Sequence, residues 1–533
     1  MRLGRNRKSA ITVLVSIISV ASLLVACLGS ESKNFPTTAS ASRDSVCAKD
    51  TGPASVGMPS TERIYGWIED IVELSRPETG FRRTGTPGAA LAAAYVKCRF
   101  EALGLQDVHY ETVTSWNWQA KRWGMTLDGQ KIDVFPSAHS FVTAKKPSTF
   151  STGPNGLDAE LVDIGLGTPI EIALANVKGK VVVFDLKFLL PTTGLAPLME
   201  FLWDPALTVL DDTILVGNPY ITTISTVVQQ ATDAGAIGFV GVLADYFDSN
   251  KYYNEFYRRT EVTIPGFWVS PKEGARLRSL MKASSQPKAN LILEGTRTEA
   301  LARSVIGFLP GKSKDTIMIQ SHHDSVFYGA VEDGSGTASV FAQAQYFASQ
   351  PANSREKTLM FATFDTHFTG YQGHMEFVRK YITDKETPYN IVANVTLEHV
   401  GKQGVSKNGG PLEVRDQPEL RGIMQNLGLA LKGTLISSII RHDLRRTALL
   451  SAHALCSVGG LPTDASFVCS AGVPTVSLIA GPNYLYDLAD TLDKVDKEQL
   501  VPVAKVFAEL IEAIETTPSN LIGVPLPNPV LAL

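Results

Sequence analysis

The segment Ser321-His322-His323-Asp324-Ser325 sets two imidazoles and a carboxylate at the end of an apolar run, residues 316–320. A turn of small and acidic residues follows, Gly329-Ala330-Val331-Glu332-Asp333-Gly334-Ser335-Gly336, and opens a small-residue helix. Imidazole nitrogen and carboxylate oxygen are the donors that zinc and related divalent ions take from proteins. Along an extended strand alternate side chains share a face, so His322 and Asp324 point one way and His323 the other. A metal-bound imidazole usually donates its second ring N–H to a carboxylate, and His-x-Asp spacing suits such a pair, His322 binding and Asp324 orienting it. Taken alone, the tripeptide reads equally well as a strand end that meets solvent, because short motifs recur by chance.

Further segments follow in a set order. A strand at 358–364 leads into Asp365-Thr366-His367-Phe368-Thr369-Gly370-Tyr371-Gln372-Gly373, and a strand at 391–397 ends in Glu398-His399-Val400-Gly401. Pro462-Thr463-Asp464-Ala465-Ser466-Phe467 precedes Gly472-Val473-Pro474, and Asp487-Leu488-Ala489-Asp490-Thr491-Leu492-Asp493-Lys494-Val495 leads into a terminal helix. This succession resembles the di-zinc aminopeptidase and glutamate carboxypeptidase family of metallopeptidases, over residues 61–516. In that family a His-x-Asp strand end supplies one ligand and its orienting Asp, and a Gly-Ala-x-Asp turn supplies a carboxylate bridging two zincs. A Glu-Glu pair after a third strand gives the general base and a ligand. An Asp after a fourth strand and a His before a late Asp-Thr give the remaining ligands.

Carried over residue by residue, the resemblance places His322 and Asp324 on the family pattern outright. Glu332 falls on the bridging Asp and Glu398 on the fourth-strand Asp, each one methylene longer. His367 stands at the general-base Glu, Phe368 at its neighbouring ligand and Tyr486 at the final His. One metal position is therefore kept, with His322, Glu332 and Glu398 as ligands, and the other has lost both terminal ligands. Phe has no donor atom, and a phenol with an unperturbed pKa near 10 is a poor ligand at neutral pH. The resemblance thus implies one divalent metal, zinc by its donors, with an open fourth position.

His367 then has three readings: a base that moves the proton, a further ligand, or a structural hydrogen-bonding group. The catalytic pair expected is His367 with Asp324. Asp333 is the alternative bridging carboxylate if the turn slips by one residue. Strand alternation turns His323 and His399 away from their liganding neighbours, so they and His374 read as supporting or structural groups. His109, His139, His442 and His453 have no motif around them.

The elements that must position these groups alternate. Strands at 304–309, 316–320, 358–364, 391–397 and 475–480 are interleaved with helices from Ser335 and from Lys497, which argues an α/β fold, a mixed sheet with helices on both faces. Candidate ligands then lie just past strand ends, where open α/β sheets build their sites. Ahead of them, Ile64, Trp67, Ile68, Ile71 and Leu74 fall at helical spacing, a second helix opens at Thr86-Pro87 and stops at Gly104, and a strand follows at about 108–113. Residues 135–293 interrupt the metal motifs with a strand-rich stretch that resembles a protease-associated domain, giving peptidase parts at 60–134 and 294–517 and an irregular tail at 518–533. Within it Trp203, Tyr246, Phe247, Tyr252, Tyr253, Phe256 and Tyr257 line a binding face or pack among themselves.

At 533 residues the chain is longer than one ordinary core, and its net charge of −4 gives no sign of a nucleic-acid partner. Arg2, Arg5, Arg7 and Lys8 precede an apolar run at 10–25, the pattern of a secretory signal. It ends Leu24-Val25-Ala26-Cys27, which resembles a bacterial lipobox and implies lipidation of Cys27. An uncleaved membrane anchor is the alternative. Residues 27–59, rich in Ser, Thr, Ala, Gly and Pro, read as a tether. Cys47, Cys98, Cys456 and Cys469 remain, and export favours disulfides, with Cys456–Cys469 closing a short loop and Cys47–Cys98 tying the tether to the long helix.

The sequence accordingly points to an exported, lipid-anchored, zinc-dependent exopeptidase acting on a peptide or protein substrate. A catalytically inactive binding or receptor-like protein on the same fold is the competing expectation, favoured by the loss of the Glu-Glu pair. A metal-dependent acyl transferase is a third.

Overall fold

The computed structural model describes residues 43–50, 55–143, 146–188, 197–209, 219, 222–253, 261–458 and 460–528. The apolar run at 10–25, Cys27, Phe256 and Tyr257 lie outside the described residues. No helix among the described residues is long and apolar enough to cross a membrane.

Local chemistry sets the first elements. Helix α1, Thr61–Leu74, begins where the Ser60 hydroxyl accepts the N–H of Arg63, and it buries Ile64, Trp67, Ile68, Ile71 and Leu74 on one face. Helix α2, Pro87–Ala102, is capped by Thr86 with Pro at its first position. It stops before Gly104, whose φ of 86° no branched side chain would favour. Only glycine fits at Gly88, since a Cβ there would stand 1.4 Å from the Phe81 carbonyl oxygen.

Strand β1, Gln106–Leu127, is far longer than its alternation suggests. It lies antiparallel to β7, Lys288–Leu309, from Gln106 opposite Phe308 to Leu127 opposite Ala289. This ribbon joins two regions. Its far end pairs with β2, Leu157–Asp163, and its near end with β9, Thr358–Phe364. From β2 the sheet continues in parallel through β3, Val181–Asp185, β5, Gly238–Val242, and β6, Gly266–Val269. From β9 it continues in parallel through β8, Asp315–His322, β10, Asn390–Leu397, and β13, Thr475–Ala480. Beyond β13 lie β11, Arg421–Gln425, β12, Thr447–Ser451, and β4, Met199–Trp203. The fold is thus a large mixed α/β sheet.

The two faces of β8 show why it sits centrally. Ile317 and Ile319 join the core that also holds Trp67, Phe341 and Val503, whereas Met318 joins a second core with Met360, Phe377 and Phe467. Helix α4, Gly336–Ala348, and helix α8, Lys497–Thr516, supply the first layer. Helices α5, Gln372–Phe377, and α7, Ala465–Ser470, supply the second. The unbroken burial of β8 from Thr316 to His322 is what parallel packing between two helical layers requires.

Two disulfides pin the periphery. Cys47–Cys98 joins a helical turn at Arg43–Cys47 to α2, with Val46 fully buried and Arg99 paired to Asp50, so residues 43–50 of the expected tether pack against the fold. Cys456–Cys469 anchors α7. Residues 249–253 reach from the 135–293 stretch to the core: Ser249 donates to Asp487, and the Tyr253 N–H donates to the Tyr486 carbonyl. Tyr246, Phe247, Tyr252 and Tyr253 are buried; the first three pack ring against ring and Tyr252 meets Trp268, whereas Tyr253 packs on His139 and Phe368.

Candidate metal centre

The C-terminal ends of the adjacent parallel strands β8, β9 and β10 deliver the candidate residues to one buried place. His322 ends β8 with Nδ1 3.0 Å from the Asp324 carbonyl and 3.3 Å from its carboxylate. A carbonyl oxygen only accepts, so Nδ1 carries a proton, and Nε2 faces inward, 3.2 Å from Glu332 Oε1; burial opposes a charge on the ring, but Asp464, Asp324 and Glu332 raise it well above an ordinary imidazole. Asp324 is held on its far side by the Thr84 hydroxyl, which lies 3.2 Å away and also 2.6 Å from Asp365. Burial and the Asp324 charge push Asp365 up to about 7.

Glu332 sits in the turn before α4, and its main-chain N–H is held by Asp490 at 2.8 Å. Its carboxylate faces three imidazoles: His322, His367 at 3.9 Å, and His399 at 2.5 Å. Burial favours the neutral acid, but His399 and His322 outweigh it and hold Glu332 well below its ordinary range. His367 ends the turn after β9, its Nδ1 2.7 Å from Asp464 Oδ1 and its ring stacked on His322 with centroids 4.0 Å apart. Donor atoms of His322, Glu332 and His367 all lie within 4.8 Å of one another, and the three side chains are buried. His322 Nε2 and Glu332 Oε1 are buried without a hydrogen-bond partner, whereas Glu332 Oε2 meets His399 Nε2. A buried carboxylate facing imidazole nitrogens is a donor set that a divalent ion binds in place of protons, so these residues fit a divalent ion.

The other expected groups fall as follows. Glu398 stands outside that group of three; its Oε1 accepts the N–H of Asp464 at 3.1 Å. Burial and the Asp464 charge raise Glu398 well above an ordinary glutamate. Asp333 is occupied elsewhere, accepting the N–H groups of Gly336 and His399 and contacting the Ser321 hydroxyl, and stands 3.9 Å from His322 Nε2. His323 points away to Thr363, and burial lowers it to about 4. Tyr486 and Phe368 pack edge to face with centroids 5.5 Å apart, Phe368 meeting Tyr253 in the same way at 5.6 Å.

His399 departs from the alternation argument. Strand β10 ends at Leu397 and His399 has a φ of 58°, so the rule for extended backbone no longer governs its direction. Its Nδ1 is 2.6 Å from the Ala480 carbonyl, which leaves Nε2 toward Glu332. Although burial disfavours the charged ring, Glu332 holds His399 up at about 10.

Asp464 has no role assigned from the sequence, and His374 reads there only as a supporting or structural group. Asp464 precedes α7 and takes His367 on Oδ1 and His374 Nε2 on Oδ2 at 3.1 Å. Burial opposes its charge, but His374, His367 and His322 hold it well below the ordinary range. The segment 462–467 announced a carboxylate in the sequence. Its pairing across 97 residues with His367 did not have a local signal.

Residues 304–511 match the model described as Peptidase family M28. None of the curated proteins matches the chain. Among solved structures, a peptidase M28 precursor from Shewanella amazonensis SB2B superposes with a TM-score of 0.64 at 18% identity, covering 91% of this chain and 98% of that one. A zinc aminopeptidase from Bacillus subtilis gives 0.58 at 17% identity, covering 87% and 98%. An aminopeptidase from Aneurinibacillus sp. strain AM-1 gives 0.54 at 16%, covering 91% and 97%. Identities this low establish the fold and leave chemistry to the site. The residues of the candidate centre from His322 to Asp490 thus stand within the stretch, residues 304–511, that matches peptidase family M28, on a fold shared with solved bacterial aminopeptidases.

Proposed function

We propose that the chain is an exported, lipid-anchored exopeptidase that uses one divalent metal, zinc by its donor set. The observation that carries this is the buried convergence of His322, Glu332 and His367 inside the stretch that matches family M28. When bound, zinc supplies a Lewis acid for the scissile carbonyl and an acidified water. His322 Nε2 and a Glu332 oxygen are the donors common to the sequence pattern and the geometry. Asp324 orients His322 through Nδ1. His367 presents Nε2 to the same point, where it can carry a proton or bind the ion, because Asp464 occupies its Nδ1. Phe368 and Tyr486, packed together and against Tyr253, stand where the resemblance needs a second ion's ligands, which supports a single ion.

The competing reading, a binding or receptor-like protein, is favoured by that same aromatic packing and by the His399 charge already set against Glu332. Metal analysis after dialysis together with hydrolysis of a broad peptide library separates them. The proposal expects close to one zinc, loss of hydrolysis in His322→Ala, and a Tyr486→Phe variant that behaves as wild type. Zinc bound without turnover would leave the binding protein, and no zinc or two would overturn the one-metal site.

A further inference from the structure

Three histidines around Glu332 share one arrangement. His322, His367 and His399 commit Nδ1 to Asp324, Asp464 and Ala480 respectively, and each turns Nε2 toward the Glu332 carboxylate. They differ in reach. His322 and His367 stand 3.2 and 3.9 Å from the same oxygen, Oε1, with the Tyr371 hydroxyl 3.3 Å from His367 Nε2, whereas His399 lies 2.5 Å from Oε2 and is in direct contact.

We infer that the ion is held by Nε2 of His322, Nε2 of His367 and the Glu332 carboxylate, and that Glu398 is a positioning residue rather than a ligand. This rests on the one-metal reading and specifies its ligand set. Each ligand then has one partner that fixes its direction: Asp324 for His322, Asp464 for His367, His399 for Glu332. Such partners set the tautomer and ring orientation of metal-bound imidazole. Two imidazoles and one carboxylate with a free fourth position is a donor set of catalytic zinc.

Asp464 is the chain's own device for this. One carboxylate hydrogen-bonds His367 on Oδ1 and lies 3.1 Å from His374 Nε2 through Oδ2, so it cannot swing away without stranding the buried His367 ring. Its backbone N–H donates to Glu398 Oε1, which holds the turn preceding α7. The carboxylate expected as third ligand is thereby engaged with the residue that aims His367.

Zinc K-edge X-ray absorption on purified, zinc-loaded full-length protein tests the ligand set without mutation, since scattering from imidazole rings counts them. Two imidazoles are expected. One imidazole with additional oxygen would overturn the inference while leaving the one-metal reading intact. Absence of stoichiometric zinc in the wild type would overturn both.

Variants supply the second arm, with circular dichroism confirming the fold. His367→Gln should lose zinc on dialysis, and Asp464→Ala should bind it roughly 10–100-fold more weakly. Asp464→Asn should fall between Asp464→Ala and wild type, because the amide oxygen still accepts the Nδ1 proton. Glu398→Gln, which can still accept the Asp464 N–H, should keep one zinc and the two-imidazole spectrum. Retention of wild-type affinity in folded His367→Gln, or loss of zinc in folded Glu398→Gln, would overturn the assignment.

Discussion

Asp490 holds Glu332 by the main chain: its Oδ2 accepts the Glu332 N–H at 2.8 Å, while Oδ1 accepts the neighbouring Val331 N–H at 2.9 Å. The carboxylate of Glu332 is thereby aimed by a residue 158 positions away. Removing the acceptor strands two buried donors, each at a cost of about 1–3 kcal/mol. Asp490→Ala should lower the urea midpoint accordingly, and Asp490→Asn, which keeps one acceptor, should cost less. Equal midpoints for Asp490→Ala and wild type would show that the turn is held by something else.

Away from the centre, burial pushes Glu419 up to about 7, against the opposing hydrogen bond from Leu420 and the charge of Arg446. Its pKa is raised on folding, so the folded state binds the extra proton. Its contribution is complete below the unfolded value near 4.5 and is lost as pH rises toward 7. Glu419→Gln should therefore gain stability relative to wild type between pH 5 and 8, on the order of 2 kcal/mol. Urea titrations at both pH values check it, and a wild-type-minus-variant difference that does not change with pH would refute it.

The Cys456–Cys469 disulfide spans 13 residues and fastens the helix that follows Asp464. Closing a loop of that length stabilises by about 3 kcal/mol in the chain-entropy account. Non-reducing peptide mapping should recover the two cysteines linked, and the Cys456→Ala/Cys469→Ala pair should unfold at lower urea. Recovery of both as free alkylated thiols from protein purified without reductant would contradict the pairing.

Cys27 closes a lipobox-like tetrapeptide after the apolar run. Full-length protein should incorporate labelled palmitate and partition into membranes, and a chain starting near Arg43 should be soluble without detergent. Cys27→Ser with undiminished labelling would remove the lipid anchor from the proposal.

How much of this was legible beforehand follows from the range of each interaction. The bounds of β9 and β13 and the start of α8 coincide with those read from apolar runs, because a strand between two helical layers must be apolar along its whole length. The opposed directions of His322 and His323 follow from the pleat of β8 alone. By contrast, β1 reads as six residues and runs for 22, since most of its side chains are partly exposed and only its pairing with β7 keeps it extended.

The order of motifs, the loss of donors at Phe368 and Tyr486, and the presence of His322, Asp324 and Glu332 are properties of the sequence by itself. Which groups meet is not. His399 turns inward because its backbone leaves the strand with positive φ, and Asp464 reaches His367 because α7 packs beside α5 in one core. Periodicity records the direction of a side chain relative to its own backbone. The identity of its partner depends on which strand ends the sheet makes neighbours, and that is decided by long-range packing.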